Sequence, residues 1–259
     1  RHEDIETEGN VGHQERDRIR VRFGALIKVA DNINTKIQFS TANTGGDNAR
    51  STNQTLGSGN NYNTTGNASW DRKAVGFDQA YVEWKPDLFT TVQLGKAPIP
   101  WTTTVSYFWD KDLTPEGAAI KYVNGSLFAT ATYNWLSEQN SAGSLLQSTD
   151  SKMASAQLGW KQLLNSTSTI TTALGYFNLN SVAGQPVTND GCTSLKANPT
   201  FGGSSYGNTT AAGTGEFSAC TKTLASDFNL IEAQAQLDTV VATYPLSVFV
   251  DYMKNTGAV

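Results

Sequence analysis

The side chains with chemical potential in this 259-residue sequence are charged and regularly spaced. Arg18, Arg20 and Arg22 recur at alternate positions, and Lys28, Lys36 and Lys121 fall on the polar parity of their own segments. Glu83, Glu232 and Asp251 occupy equivalent positions further along. Cations and carboxylates lining a watery passage select permeating ions and solutes through their local field, and no bond is made or broken. A second group, Trp109, Asp110, Asp112 and Glu116, follows Trp101, Tyr107 and Phe108 within residues 97–117. If that segment folds inward, its carboxylates would face the arginines as a constriction. The other reading is an external loop with solvated acids. Carboxylate oxygens suit calcium, yet the spacing lacks the glycine and ligand pattern of an EF-hand, and no metal is expected.

Catalysis has little to stand on. His2 and His13 lie in the N-terminal stretch, far in sequence from any placed nucleophile. No serine sits in a nucleophile elbow, and no glycine-rich phosphate loop joins a strand to a helix. The expectation is no enzyme, no catalytic residue and no cofactor. Cys192 and Cys220 share the long connection at residues 179–227. In an oxidising compartment they would pair and stabilise that loop by about 3–4 kcal/mol; two free thiols are the alternative.

The elements that must position these residues are strands. Over residues 18–29, Ile19, Val21, Phe23, Ala25, Ile27 and Val29 alternate with Arg18, Arg20, Arg22, Gly24 and Lys28. Period two over this length predicts a strand with one apolar and one wet face. The pattern returns at residues 35–41, 79–84, 90–95, 118–122, 126–135, 154–161, 168–178, 231–237 and 246–252, giving ten strands and a stub at residues 1–5. Arginines at every second position on such a strand stand ~7 Å apart. On a lipid-facing side each would cost ~2–4 kcal/mol near the midplane, so a membrane setting places them on the wet wall.

Composition separates the classes that share this alternation. Charged residues are 16% of the chain and hydrophobic residues 38%, with a net charge of −4. The low charge and the Ser, Thr, Asn, Gln and Gly that replace it describe a polar all-β chain with no basic stripe for nucleic acid. No run approaches the ~18 apolar residues of a membrane helix. Several segments run about ten residues, the span of a tilted membrane strand. Trp84, Tyr122, Tyr133, Trp135, Trp160, Tyr176 and Tyr252 share the apolar parity near strand ends, as aromatic girdles do. The connections alternate short (31–34, 86–88, 124–125, 163–166, 239–244) and long (43–75, 97–117, 136–152, 179–227). Outer-membrane barrels have that asymmetry, with short periplasmic turns and long outer loops. The chain opens on Arg1 and stops just after a strand, so a single barrel domain over 1–259, truncated at both ends, is expected.

The sequence also resembles a known family. The runs Arg1-His2-Glu3-Asp4, Arg16-Asp17-Arg18-Ile19-Arg20, Ser51-Thr52-Asn53-Gln54-Thr55-Leu56-Gly57 and Phe77-Asp78-Gln79-Ala80-Tyr81 are similar to the bacterial "putative porin" family. So are Gly95-Lys96-Ala97-Pro98 and Trp109-Asp110-Lys111-Asp112-Leu113-Thr114-Pro115-Glu116-Gly117. The likeness covers about the first half of the chain and fades after Trp135. It implies a Gram-negative outer-membrane diffusion channel of about sixteen strands when complete.

The combined expectation is an all-β, transmembrane, antiparallel up-and-down barrel in the bacterial outer membrane. It would pass small hydrophilic solutes or ions through a charge-lined lumen, in contact with lipid and lipopolysaccharide. Homo-oligomers stay open, and no nucleic acid partner is expected. Two alternatives stand beside it: a barrel serving as sleeve or adhesin without an open pore, and a soluble carbohydrate-binding β-sandwich.

Overall fold

The computed structural model describes residues 2–6, 13–42, 52–56, 74–104, 108–137, 150–184, 208–213 and 222–258. Cys192 and Cys220 lie outside them, as does Tyr107. Among the described residues every regular element is a strand. They are β1 (His2–Glu6), β2 (His13–Ile19), β3 (Arg22–Ala30), β4 (Ile33–Ala42), β5 (Gln54–Thr55), β6 (Ala74–Trp84), β7 (Thr90–Lys96) and β8 (Glu116–Asn124). There follow β9 (Leu127–Ser137), β10 (Ser151–Asn165), β11 (Ser168–Asn180), β12 (Thr210–Ala211), β13 (Thr223–Leu224), β14 (Phe228–Val241) and β15 (Tyr244–Asn255). Ten of them form one antiparallel sheet in the order β15-β14-β11-β10-β9-β8-β7-β6-β4-β3. Neighbours in the sheet are neighbours in sequence once the short strands are set aside, which is the up-and-down pattern that short hairpins enforce.

Contacts divide the chain into two compact units, Arg1–Ile27 with Lys36–Ala80, and Lys28–Thr35 with Tyr81–Val259. In the first, β1 pairs with β2 from His2↔Asp17 to Glu6↔His13, so the two histidines belong to a hairpin. β2 also pairs with β5 through Arg18↔Thr55 and Ile19↔Gln54. The uninterrupted strand expected over residues 18–29 is therefore corrected. β2 ends at Ile19 and β3 begins at Arg22. At the break the Val21 N–H donates to the Thr41 hydroxyl (3.2 Å), while the Thr41 N–H donates to the Val21 carbonyl (2.9 Å). A side chain has taken a place in the ladder, and regular pairing stops there. On the apolar face, Phe23, Phe39 and Phe77 form a row, with ring centroids 5.5 Å and 4.6 Å apart.

β6 explains why its alternation was legible only from residue 79. Val75 and Phe77 are its exposed apolar positions near the start, whereas Val82 and Trp84 are exposed near the end. The outward parity passes from odd to even positions within one strand. A period-two reading loses phase at such an irregularity.

In the second unit the pairing of β10 with its two neighbours slips only at Ser151/Lys152 and Leu163/Asn165, and the sidedness of the sheet is inverted relative to a water-soluble one. Thr130, Thr132, Asn134, Ser155, Gln157, Glu232 and Gln234 are buried. Leu158, Leu174, Val248 and Val250 are each 57–65% exposed. The aromatics Trp84, Tyr133, Trp135, Trp160, Tyr176 and Tyr252 are exposed on that same apolar side. Register places Trp135 and Tyr133 toward the long-connection end, where Trp135 lies opposite Glu116, and Trp160 toward the hairpin end, opposite Leu127. Strand lengths of 15, 13, 14 and 12 residues for β10, β11, β14 and β15 exceed those expected from the sequence.

The apolar cluster of this unit lies on the polar side of the sheet. Met153, Phe177 and Leu179 project there and meet Trp101, Val182 and Leu224 from the connections. β12 and β13 pair with each other inside the long connection. The Asp227 carboxylate accepts from the Val182 and Ala183 N–H groups (2.9 and 2.8 Å), fixing that connection where it leaves and rejoins the sheet.

Candidate functional site

The residues expected to carry charge along one wall divide between the two units. In the first unit Arg18 donates to the Asn53 carbonyl at 3.3 Å, and Arg20 lies exposed between β2 and β3. The Arg22 guanidinium meets the Asp78 carboxylate at 2.8 Å. Gln38 donates to that same carboxylate oxygen at 2.7 Å. Asp78 is 3% exposed as a side chain, so the ion pair and amide replace the water it gave up. Lys36 is half-buried on β4. In the sequence Asp78 figures only in the family-like run Phe77–Tyr81, because a single acid within an apolar-aromatic segment carries no spacing signal of its own.

In the second unit Lys28 pairs with Asp31 (2.8 Å) at a hairpin end, both side chains exposed. Glu83 receives Gln93 at 3.4 Å and pairs with Lys85 at 3.3 Å. Lys121 stands exposed on β8. Glu232 is fully buried on β14, and the Asp251 carboxylate on β15 accepts from the Thr104 hydroxyl at 3.1 Å.

That last contact belongs to a larger arrangement. The segment following β7 lies against the polar face of the sheet. The Thr102 N–H donates to Gln157 Oε1 (2.8 Å), and Gln157 Nε2 returns a bond to the Thr102 carbonyl (2.9 Å). Gln234 Nε2 donates to the same carbonyl at 2.6 Å. Trp101 and Trp109 close on Phe177, with centroids 5.3 Å and 4.6 Å away and edge-on or tilted rings. Trp101 and Trp109 also meet each other at 5.3 Å and 71°. Edge-to-face aromatic packing of this kind adds about 0.5–1.5 kcal/mol per pair beyond area burial.

Backbone, threonines and indoles make this contact, and the carboxylates do not. Asp110 accepts from the Asp112 N–H (2.8 Å), an Asx turn that shapes the segment, and both acids are exposed. Glu116 is corrected from loop to strand: it is the first residue of β8, opposite Lys96, whose ammonium lies 3.6 Å from it. Gln157 and Gln234 fell on the polar face in the sequence reading, but nothing local marked them as anchors. Phe177 and Met153 carried the one available hint, since each is a large apolar residue at a polar-parity position.

Between this segment and the sheet is a cavity of about 420 Å³, lined by Lys111, Lys121, Lys161 and Asp238 among threonines and glutamines. Phe128 forms part of its wall. Its ring covers Gly159 opposite it in register, and a β-carbon at Gly159 would come within 2.0 Å of it. A larger residue there would have to displace the ring.

A solved structure, the crystal structure of Acinetobacter baumannii OccAB1, is similar to this chain at 12% sequence identity with a TM-score of 0.38. The match covers 99% of this chain and 63% of that chain, so this chain spans less than two thirds of its length. No curated protein matches the sequence. The profile of the family described as "Putative porin" matches residues 6–258, nearly the whole length, and the chain belongs to that family.

Proposed function

We propose that this chain forms part of the wall of a β-barrel porin in the outer membrane, through which small hydrophilic solutes or ions diffuse passively. The observation that carries the reading is the sidedness of the sheet. Large apolar residues such as Leu174 (65%) and Val250 (62%) are exposed while Thr132, Gln157 and Gln234 are buried. In water that arrangement forfeits apolar burial worth about 25 cal/mol per Å²; against hydrocarbon it costs nothing, and the polar side becomes the lumen. β6, β9, β10, β11, β14 and β15 run 11 to 15 residues, enough for the ~9–11 residues of a tilted membrane strand. Membership of the porin family supports the same role. The exposed apolar face also speaks against a soluble sandwich, whose sheets bury such faces against each other.

On this reading Arg22, Lys36, Lys121, Glu83, Glu232 and Asp251 belong to the lumen wall. The segment after β7, anchored at Thr102, narrows the passage. Selection is electrostatic and steric, with water filling the remaining space.

The test is single-channel recording of the full parent protein in a planar bilayer under a salt gradient. Discrete conductance steps are expected. Folded, inserted protein that passes no current would overturn the open channel and favour a plugged barrel or sleeve.

A further inference from the structure

We propose that the cavity between the segment after β7 and strands β8, β10 and β14 is a binding subsite for short-chain dicarboxylates. The inference rests on the channel reading above and adds a solute class to it. Three lysines from separate parts of the chain line the cavity: Lys111 from the segment, Lys121 from β8 and Lys161 from β10. Asp238 is the one carboxylate among the described lining residues; its Oδ1 accepts from Gln236 Nε2 (2.7 Å) and the Ser247 hydroxyl (2.6 Å), and its charge attracts Lys161. Lys111 donates to the neutral Thr104 carbonyl at 3.3 Å, which holds the ammonium in place without cancelling its charge. The lining thus carries an excess of two positive charges.

Size and polarity narrow the ligand further. A volume of about 420 Å³ lies within the ~300–1,000 Å³ of ordinary small-molecule pockets. Val123 and the edge of Phe128 give it an apolar patch that a short carbon skeleton would cover and that inorganic phosphate would leave wet. Lysine ammonium groups act as hydrated point charges on flexible stems, suited to transient capture of a carboxylate. Lys121 and Lys161 lie near the hairpins that follow Asn124 and Asn165, so the subsite sits toward the short-turn end of the sheet. A solute that has passed the Trp101–Trp109 side of the segment meets these lysines next.

The experiment is calorimetric titration of the full parent protein in detergent with succinate, its neutral diamide and inorganic phosphate, paired with bilayer recording of the same preparation. Succinate is expected to bind saturably, and the diamide is not. The K121Q/K161Q double variant should weaken succinate about tenfold, the loss of two solvent-screened charge contacts. The charge-retaining K121R/K161R variant should bind close to the parent and controls for folding. Equal binding of succinate and its diamide would overturn the proposal, and so would phosphate binding as tightly as succinate. Current without saturable succinate binding removes the subsite and leaves the channel. Succinate binding without current removes the channel and leaves the subsite. Because the three-ligand comparison is made on the unaltered protein, it decides the matter even if a variant fails to fold.

Discussion

Gln157 and Thr102 exchange a reciprocal pair of hydrogen bonds, 2.8 Å and 2.9 Å long, across 55 residues of chain. One glutamine side chain offers Thr102 the donor and acceptor that a neighbouring strand would have offered. Gln234, from β14, adds a third bond to the same carbonyl. Thr102 is thereby tied to two strands of one sheet, and the indoles of Trp101 and Trp109 are delivered onto Phe177.

This tether is open to a direct measurement. Each such bond contributes about 0.5–1.5 kcal/mol net, and leaving its partner buried and unmet costs about 1–3 kcal/mol. The variant carrying Gln157→Ala and Gln234→Ala should release the segment, raising single-channel conductance and open-channel noise together. Each single variant should show a smaller rise. Conductance equal to that of the parent in the double variant would remove this segment as the narrowing element.

The Arg22–Asp78–Gln38 trio predicts a graded loss of stability. Asp78→Ala withdraws the carboxylate that both partners address. Arg22 is 29% exposed, so water recovers part of the loss, and a cost of about 1–3 kcal/mol is expected. Asp78→Asn keeps an acceptor for Gln38 and should lie between the parent and the alanine variant. Urea unfolding followed by circular dichroism in detergent ranks the three.

Asp87 gives a pH signature at the β6–β7 turn. Its carboxylate accepts from the Phe89 and Thr90 N–H groups, both at 2.7 Å. The Phe89 bond is the main reason its pKa lies below the ordinary aspartate value. A depressed native pKa means that stabilisation is complete at neutral pH, above the unfolded value of about 3.9. It is lost as pH falls through the native value. The thermal midpoint of Asp87→Asn should therefore fall less steeply than the parent's below about pH 4, since the amide oxygen accepts at every pH. Parallel midpoint curves for the two proteins would contradict this role.

Two hairpins solve one geometric problem with different residues. Gly125 and Ala242 both have φ of 58°, in two-residue turns closed by Asn124↔Leu127 and Val241↔Tyr244. Glycine adopts this region freely, whereas a β-carbon there is strained by about 1–2 kcal/mol. Ala242→Gly should gain about 0.5–1 kcal/mol, the relief less the added unfolded-state entropy. Gly125→Ala should lose a similar amount. Unfolding midpoints of the two variants should move in opposite directions.

The strands were legible where the pleat was undisturbed. Ala129 to Trp135, Ala156 to Trp160 and Ile231 to Leu237 alternate without interruption, and the structure pairs β9 with β10 and β11 with β14. The reading failed where a local irregularity shifted the phase. The Thr41 hydroxyl at Val21 split the arginine-bearing segment between two strands. The change of outward parity inside β6 hid its first half. Glu116 read as loop because the glycine and proline beside it suggest a turn, yet Lys96 opposite it completes the β7–β8 ladder.

By itself the sequence determined the strand class, the alternation of short and long connections, and, where the pleat is undisturbed, which side chains share a face. Those properties follow from a side-chain period of two, which any short window contains. Only the tertiary structure decided which polar residues are buried, that Thr102 docks on Gln157 and Gln234, and that Lys111, Lys121 and Lys161 line one cavity. The bonds to Thr102 join residues 55 and 132 positions apart. They depend on strand register and on where a long connection returns, and no period along the chain encodes either.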